Sequence, residues 1–106
     1  MAESTQWQQG DVLGVRISQL PAGLKARADK RGAVLAEGEA TGHYHVAEGA
    51  VDLFESEDGT LYLQVAEQAT VTHQEHKPVT LEPGVYQIGI VQEYDYLAEI
   101  VRNVRD

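Results

Sequence analysis

Apolar and polar residues alternate along most of this chain with a period of two, the spacing of strands that turn one face to a core. In GDVLGVRI, from Gly10 to Ile17, Leu13, Val15 and Ile17 share one side while Gly14 and Arg16 share the other. Ser18 to Arg31 breaks the pattern with Pro21, Gly23 and charges, and reads as a long connection in which LKARADK forms one or two helical turns. Alternation resumes from Ala33 to Val46 and predicts one strand there. Val34, Ala36, Gly38, Ala40, Gly42, Tyr44 and Val46 occupy its small, apolar parity, and Leu35, Glu37, Glu39, Thr41, His43 and His45 its polar one. Tyr44 is thereby assigned to core packing and both histidines to the polar face.

AVDLFESEDGTLYLQV carries Asp58-Gly59 between two alternating runs, a hairpin signal because Gly accepts the positive φ of a tight turn. Strands near Ala50 to Ser56 and Thr60 to Val65 follow, then a turn at Glu67-Gln68 into ATVTH. KPVTLEPGVYQIGIVQEY reads as two strands joined by a type II turn at Pro83-Gly84. About seven short strands with closely spaced turns predict a mainly β fold, a small single-domain barrel or sandwich. At the end the period changes: Leu97, Ile100, Val101 and Val104 lie at helical spacing, with Asp95 as N-cap, predicting a C-terminal helix over 96–105. Residues 1–9 are polar and read as a flexible N-terminus.

A length of 106 residues suits one domain with a real core. The absence of cysteine excludes disulfides and thiolate metal sites, leaving nitrogen and oxygen as metal ligands. With no apolar run of about 18 residues and no basic-then-apolar N-terminus, the expectation is a soluble, cytoplasmic protein that does not enter a membrane. Net charge is −9, and between Gly32 and Glu99 there are 13 acidic residues against Lys77 alone. Such a body repels phosphate backbones, so no nucleic-acid partner is expected. Lys25, Arg27, Lys30 and Arg31 form the one basic segment, read either as a solvated connection or as a dock for an anionic partner.

The four histidines fall into two tight groups, His43-Tyr44-His45 and His73-Gln74-Glu75-His76. On a strand, residues i and i+2 share a face about 6.5 to 7 Å apart, close enough for both imidazoles of His43 and His45 to reach one metal ion. His73 and His76, three apart, need a turn or bulge to bring their rings together, and Lys77-Pro78 marks a change of direction there. Glu39, Glu48 and Glu75 are the carboxylates that could complete a shell or act as base. This donor set suits zinc, manganese, iron, nickel or copper. No HExxH, nucleophile elbow, P-loop or dinucleotide fingerprint is present.

GEATGHYHVAEG followed by LEPGVYQI resembles the metal-binding strand pair of cupins, small β-barrels in which a glycine-rich approach leads to His-x-His and then Glu. The resemblance implies His43, His45 and Glu48 as metal ligands. The chain also resembles small bacterial or phage-type proteins carrying GHxH followed by HxEH, a family that implies no particular activity.

These readings lead to a β domain that binds a divalent metal through His43, His45 and one or both of His73 and His76. Glu39 or Glu75 would serve as auxiliary ligand or base in hydrolysis or isomerisation of a small polar molecule. The competing reading is a non-catalytic module for a protein partner, possible as a homo-oligomer, with the histidines as a polar recognition surface.

Overall fold

The computed structural model describes residues 6–38 and 41–91. They form eight strands: β1 (Gln6–Gln9), β2 (Val12–Ile17), β3 (Lys25–Ala26), β4 (Ala33–Glu37), β5 (Tyr44–Glu55), β6 (Leu61–Thr72), β7 (Val79–Leu81) and β8 (Gly84–Ile90). All belong to one antiparallel sheet whose main path runs β1-β2-β8-β6-β5-β3, with β4 on β5 and β7 on β6. The mainly β expectation holds for these residues, as one sheet that does not close on itself. Residues 6–9, expected to be flexible, are paired with β2. The helix expected over 96–105 and the candidate carboxylate Glu39 lie outside the described residues.

The spine is the β5–β6 hairpin, two strands of 12 residues each. Its turn is the expected one: Gly59 has φ +89°, Ser56 N–H donates to Thr60 O at 2.9 Å, and Asp58 Oδ1 accepts Thr60 N–H at 3.1 Å. Midway the ladder breaks register. Gly49 pairs with Ala69 and Val51 with Val65, so Ala50 stands opposite residues 66–68. Such a bulge bends the strands and divides the hairpin into two halves. On the outer edge of β5, β4 pairs with one half and β3 with the other. On the outer edge of β6, β7 and β8 divide the halves likewise.

Three expectations from the sequence differ from the folded chain. The run from Ala33 to Val46 is two strands, because the chain turns at 38–43, where Gly38 N–H donates to His43 O and Gly42 N–H to Gly38 O, both at 2.9 Å. LKARADK contains β3 rather than helical turns: Arg27 N–H donates to Leu53 O at 2.8 Å, extending the β3–β5 pairing. Pro83-Gly84 does not close a hairpin. β7 and β8 pair with different halves of β6, and Gly84, at φ +154°, carries the chain between them while the Arg16 guanidinium packs on it. In β2 the buried parity is Val12 and Gly14, while Val15 is exposed. Trp7, paired with Gly14, explains this: a Cβ on Gly14 would stand 2.3 Å from the indole.

The core lies in the fold of the bent sheet. From β5 it takes Ala47 and Leu53, from β6 Leu63, Val65, Ala69 and Val71, and from the flanking strands Val12, Leu35, Leu81, Tyr86 and Ile88. The odd-numbered residues of both hairpin strands therefore point inward. Each fully buried aliphatic side chain contributes about 1.5–3 kcal/mol relative to exposure.

Gly49 combines φ +123° with a site where a Cβ would lie 2.7 Å from Gln68 O. Gly49→Ala is therefore expected to cost at least about 2 kcal/mol, read as a lowered urea midpoint with unchanged slope. A variant as stable as the parent would show that the bend does not depend on this residue.

Candidate metal centre

The inward parity of the hairpin continues beyond its core residues, and this places the histidines. Val46 pairs with Thr72, so His45 and His73 come next, side by side, at the open end of the hairpin. His45 is buried, on the core-facing side of β5 with Ala47 and Leu53. The polar face to which sequence alternation assigned it is in fact the core face. Tyr44, on the other side, is half-buried beneath Arg31, whose guanidinium sits 4.7 Å from the ring centroid.

All four imidazoles gather at this end. Ring centroids are 4.2 Å apart for His45 and His73, 4.6 Å for His73 and His76, 5.7 Å for His43 and His73, and 5.8 Å for His45 and His76. The expected turn after His73 brings the second pair together, closed by Glu75 N–H donating to His73 Nδ1 at 3.0 Å. Gln74 Oε1 accepts Tyr44 N–H at 3.0 Å and ties this turn to β5. His76 rests on Gly10, where a Cβ would stand 2.5 Å from its Nε2. Glycine there makes room for the ring.

Two further residues complete the site. Gln9, 3% exposed, contacts His45 Nδ1 through Oε1 at 2.8 Å and donates from Nε2 to Val71 O at 2.9 Å and Lys77 O at 2.8 Å. Asp11, in the β1–β2 turn, places Oδ1 3.4 Å from His45 Nε2. Sequence spacing carried no signal for either, since they stand more than 30 positions from the nearest histidine. Among the expected carboxylates, Glu75 Oε2 lies 3.6 Å from His43 Nδ1. Glu48 turns away, accepting the Thr72 hydroxyl at 2.9 Å and lining a separate cleft with Arg27, Asp29 and Arg31.

A cavity of about 340 Å³ opens onto the imidazoles, walled by Asp11, Glu37, Thr41 and Glu75 and by the apolar Ala36 and Ile90. Burial lowers the pKa of His45, with the neighbouring His73 adding to the effect and Asp11 opposing it. His73 is lowered by burial and then by His76 and His43. Neutral imidazoles ringed by carboxylates are suited to a cation. The rings lie partly stacked, with 16° between the planes of His45 and His76. Among the described residues no group of three or more His, Asp or Glu side chains is placed to hold a metal ion. Ligation would need the rings to turn.

In the basic segment, Arg31 forms ion pairs of 3.0 Å with both Asp29 and Glu37, and Arg27 lies 3.5 Å from Glu55. The hydrogen bonds from Arg31 hold Asp29 at about 2. Both arginines are thus engaged in ion pairs within the chain.

The chain belongs to the DUF8820 family, a domain of unknown function, matched over residues 8–91. That span takes in Gln9, Asp11 and all four histidines. No curated protein and no solved structure matches the chain.

The pKa shifts predict the acid sensitivity of the metal-free protein. Above the ordinary histidine value of 6.5, His45 and His73 are neutral in both folded and unfolded chains and contribute no pH dependence. As pH falls below it, the unfolded chain takes up protons that the folded site refuses, so stability declines until the folded rings protonate. Urea midpoints are expected to fall from about pH 7 to about pH 5, and to fall less in a His45→Gln/His73→Gln variant. An equal decline in both proteins would place the sensitivity elsewhere.

Proposed function

We propose that this domain binds a divalent metal ion at the open end of its central hairpin. The observation that carries the reading is the convergence of four imidazoles, drawn from two segments about thirty residues apart, beside the Asp11 carboxylate. His45 Nε2 and Asp11 Oδ1 face each other at 3.4 Å, and a cation between them would satisfy both. His76 and His43 stand within reach of the same cavity as further nitrogen donors. His73 would join by releasing Glu75 N–H, which occupies its Nδ1. Nitrogen with carboxylate oxygen suits zinc, manganese, iron, nickel or copper.

If the site is catalytic, the reaction class it suits is metal-assisted hydrolysis or isomerisation of a small polar molecule. The ion would supply Lewis acidity, and the exposed Glu75 carboxylate would accept a proton at the cavity mouth. A cupin-type ligand set would require Glu48, whose engagement with Thr72 argues against carrying cupin chemistry over. We read the bent sheet as an open sandwich, a reading supported by Gln9 of β1 reaching across to Val71 of β6 and to Lys77.

The test is elemental analysis and calorimetric titration of untagged, chelator-stripped protein with Zn²⁺ and Mn²⁺. One equivalent is expected to bind, with affinity reduced at least about tenfold in His45→Ala and in Asp11→Asn. Metal at about 100 times its Kd should stabilise the fold by about 2.7 kcal/mol. No binding of either ion would overturn the reading in favour of a recognition module for a protein partner.

A further inference from the structure

We infer that Gln9 is a positioning residue that holds His45 with its proton on Nδ1 and a bare lone pair on Nε2, aimed at the cavity beside Asp11. For its purpose the inference rests on the metal-site reading. For its geometry it does not.

A primary amide has one oxygen, which accepts, and one nitrogen, which donates twice. The Gln9 nitrogen has two backbone carbonyls against it, Val71 O at 2.9 Å and Lys77 O at 2.8 Å. Carbonyls only accept, so turning the amide over would set oxygen against two oxygens in a buried place, and its orientation is fixed. Oε1 then faces His45 Nδ1 at 2.8 Å. An amide oxygen cannot donate, so the hydrogen of this contact belongs to Nδ1. In a neutral imidazole that leaves Nε2 as an acceptor.

Asp11 makes the opposite demand. A carboxylate 3.4 Å from Nε2 would prefer a proton there. Two features decide the contest. The Asp11 contact is longer than a normal hydrogen bond and its side chain is 62% exposed, whereas the Gln9 bonds are short and buried. Moving the proton to Nε2 would leave the Gln9 oxygen facing a bare nitrogen. His45 therefore meets Asp11 as one lone pair facing another, an arrangement completed by a cation. His73 has the reverse tautomer, since its Nδ1 accepts Glu75 N–H and its own proton lies on Nε2. Of the two rings in closest contact, His45 alone is presented as a ready Nε2 donor. Such outer contacts orient metal-binding histidines generally.

The decisive measurement is a long-range ¹H–¹⁵N correlation spectrum of the metal-free protein at about pH 8, where histidine is neutral, for the parent and for Gln9→Met. The parent should show His45 with protonated Nδ1 and unprotonated Nε2. Gln9→Met should move the proton toward Nε2, where Asp11 can accept it, and weaken Zn²⁺ binding about 10- to 100-fold. A parent spectrum with the proton on Nε2 overturns the inference, and so does a folded Gln9→Met protein that keeps the parent tautomer. Should the variant fail to fold, the parent spectrum still decides the assignment. Should the tautomer be found as stated while neither Zn²⁺ nor Mn²⁺ binds, the assignment stands and the metal reading fails.

Discussion

Everything else in this structure depends on the bend in the β5–β6 hairpin. Two strands of this length cannot bury one face around a compact core if they stay straight. The register break opposite Ala50, with Gly49 at φ +123°, folds each strand so that its two halves take different neighbours. Four short strands then attach, two along each outer edge. A Cβ at Gly49 would meet the backbone of Gln68 and Ala69, so close approach of the two chains is part of the bend itself.

The same ladder builds the candidate site. Inward-facing parity is continuous from Leu53 through Ala47 to His45 on one strand and from Leu63 through Val71 to His73 on the other. At the open end, apolar side chains give way to imidazoles without a change of face. His45 is thus the polar end of the core, with the half-buried His43 and His73 and the exposed His76 beside it. Gln9 and Asp11 contact the two nitrogens of the buried His45, and Glu75 N–H donates to His73 Nδ1. Among the described residues His43 Nδ1 is buried without a hydrogen bond, with Glu75 Oε2 3.6 Å away. A buried polar atom left without a hydrogen bond is costly.

The surrounding charge is consistent with the proposed use. Asp11, Glu37 and Glu75 border the cavity, while the arginines of the basic segment are drawn into ion pairs with Asp29, Glu37 and Glu55. Anions meet carboxylates at the entrance. On the proposed reading a small cation would meet the carboxylates of Asp11 and Glu75, Glu37 being paired with Arg31.

Strand content, the Asp58-Gly59 turn and the pairing of two histidine groups were legible in the sequence because each follows from local chemistry: alternation, glycine's freedom at positive φ, and the spacing of ligating residues. The inward face of His45 was not, since period-two alternation marks two faces without saying which one meets a second layer. Nor was the splitting of the run from Ala33 to Val46, where backbone hydrogen bonds around Gly38 and Gly42 turn a chain whose alternation continues unbroken. Gln9 and Asp11 were invisible because they reach the histidines across the folded sheet. The sequence by itself determined that the chain would be mainly extended and that only nitrogen and oxygen side chains are available as ligands. Only the tertiary structure decided which nitrogens meet, which carboxylate faces them and which amide orients them, because those relations are set by register and bend between strands distant along the chain.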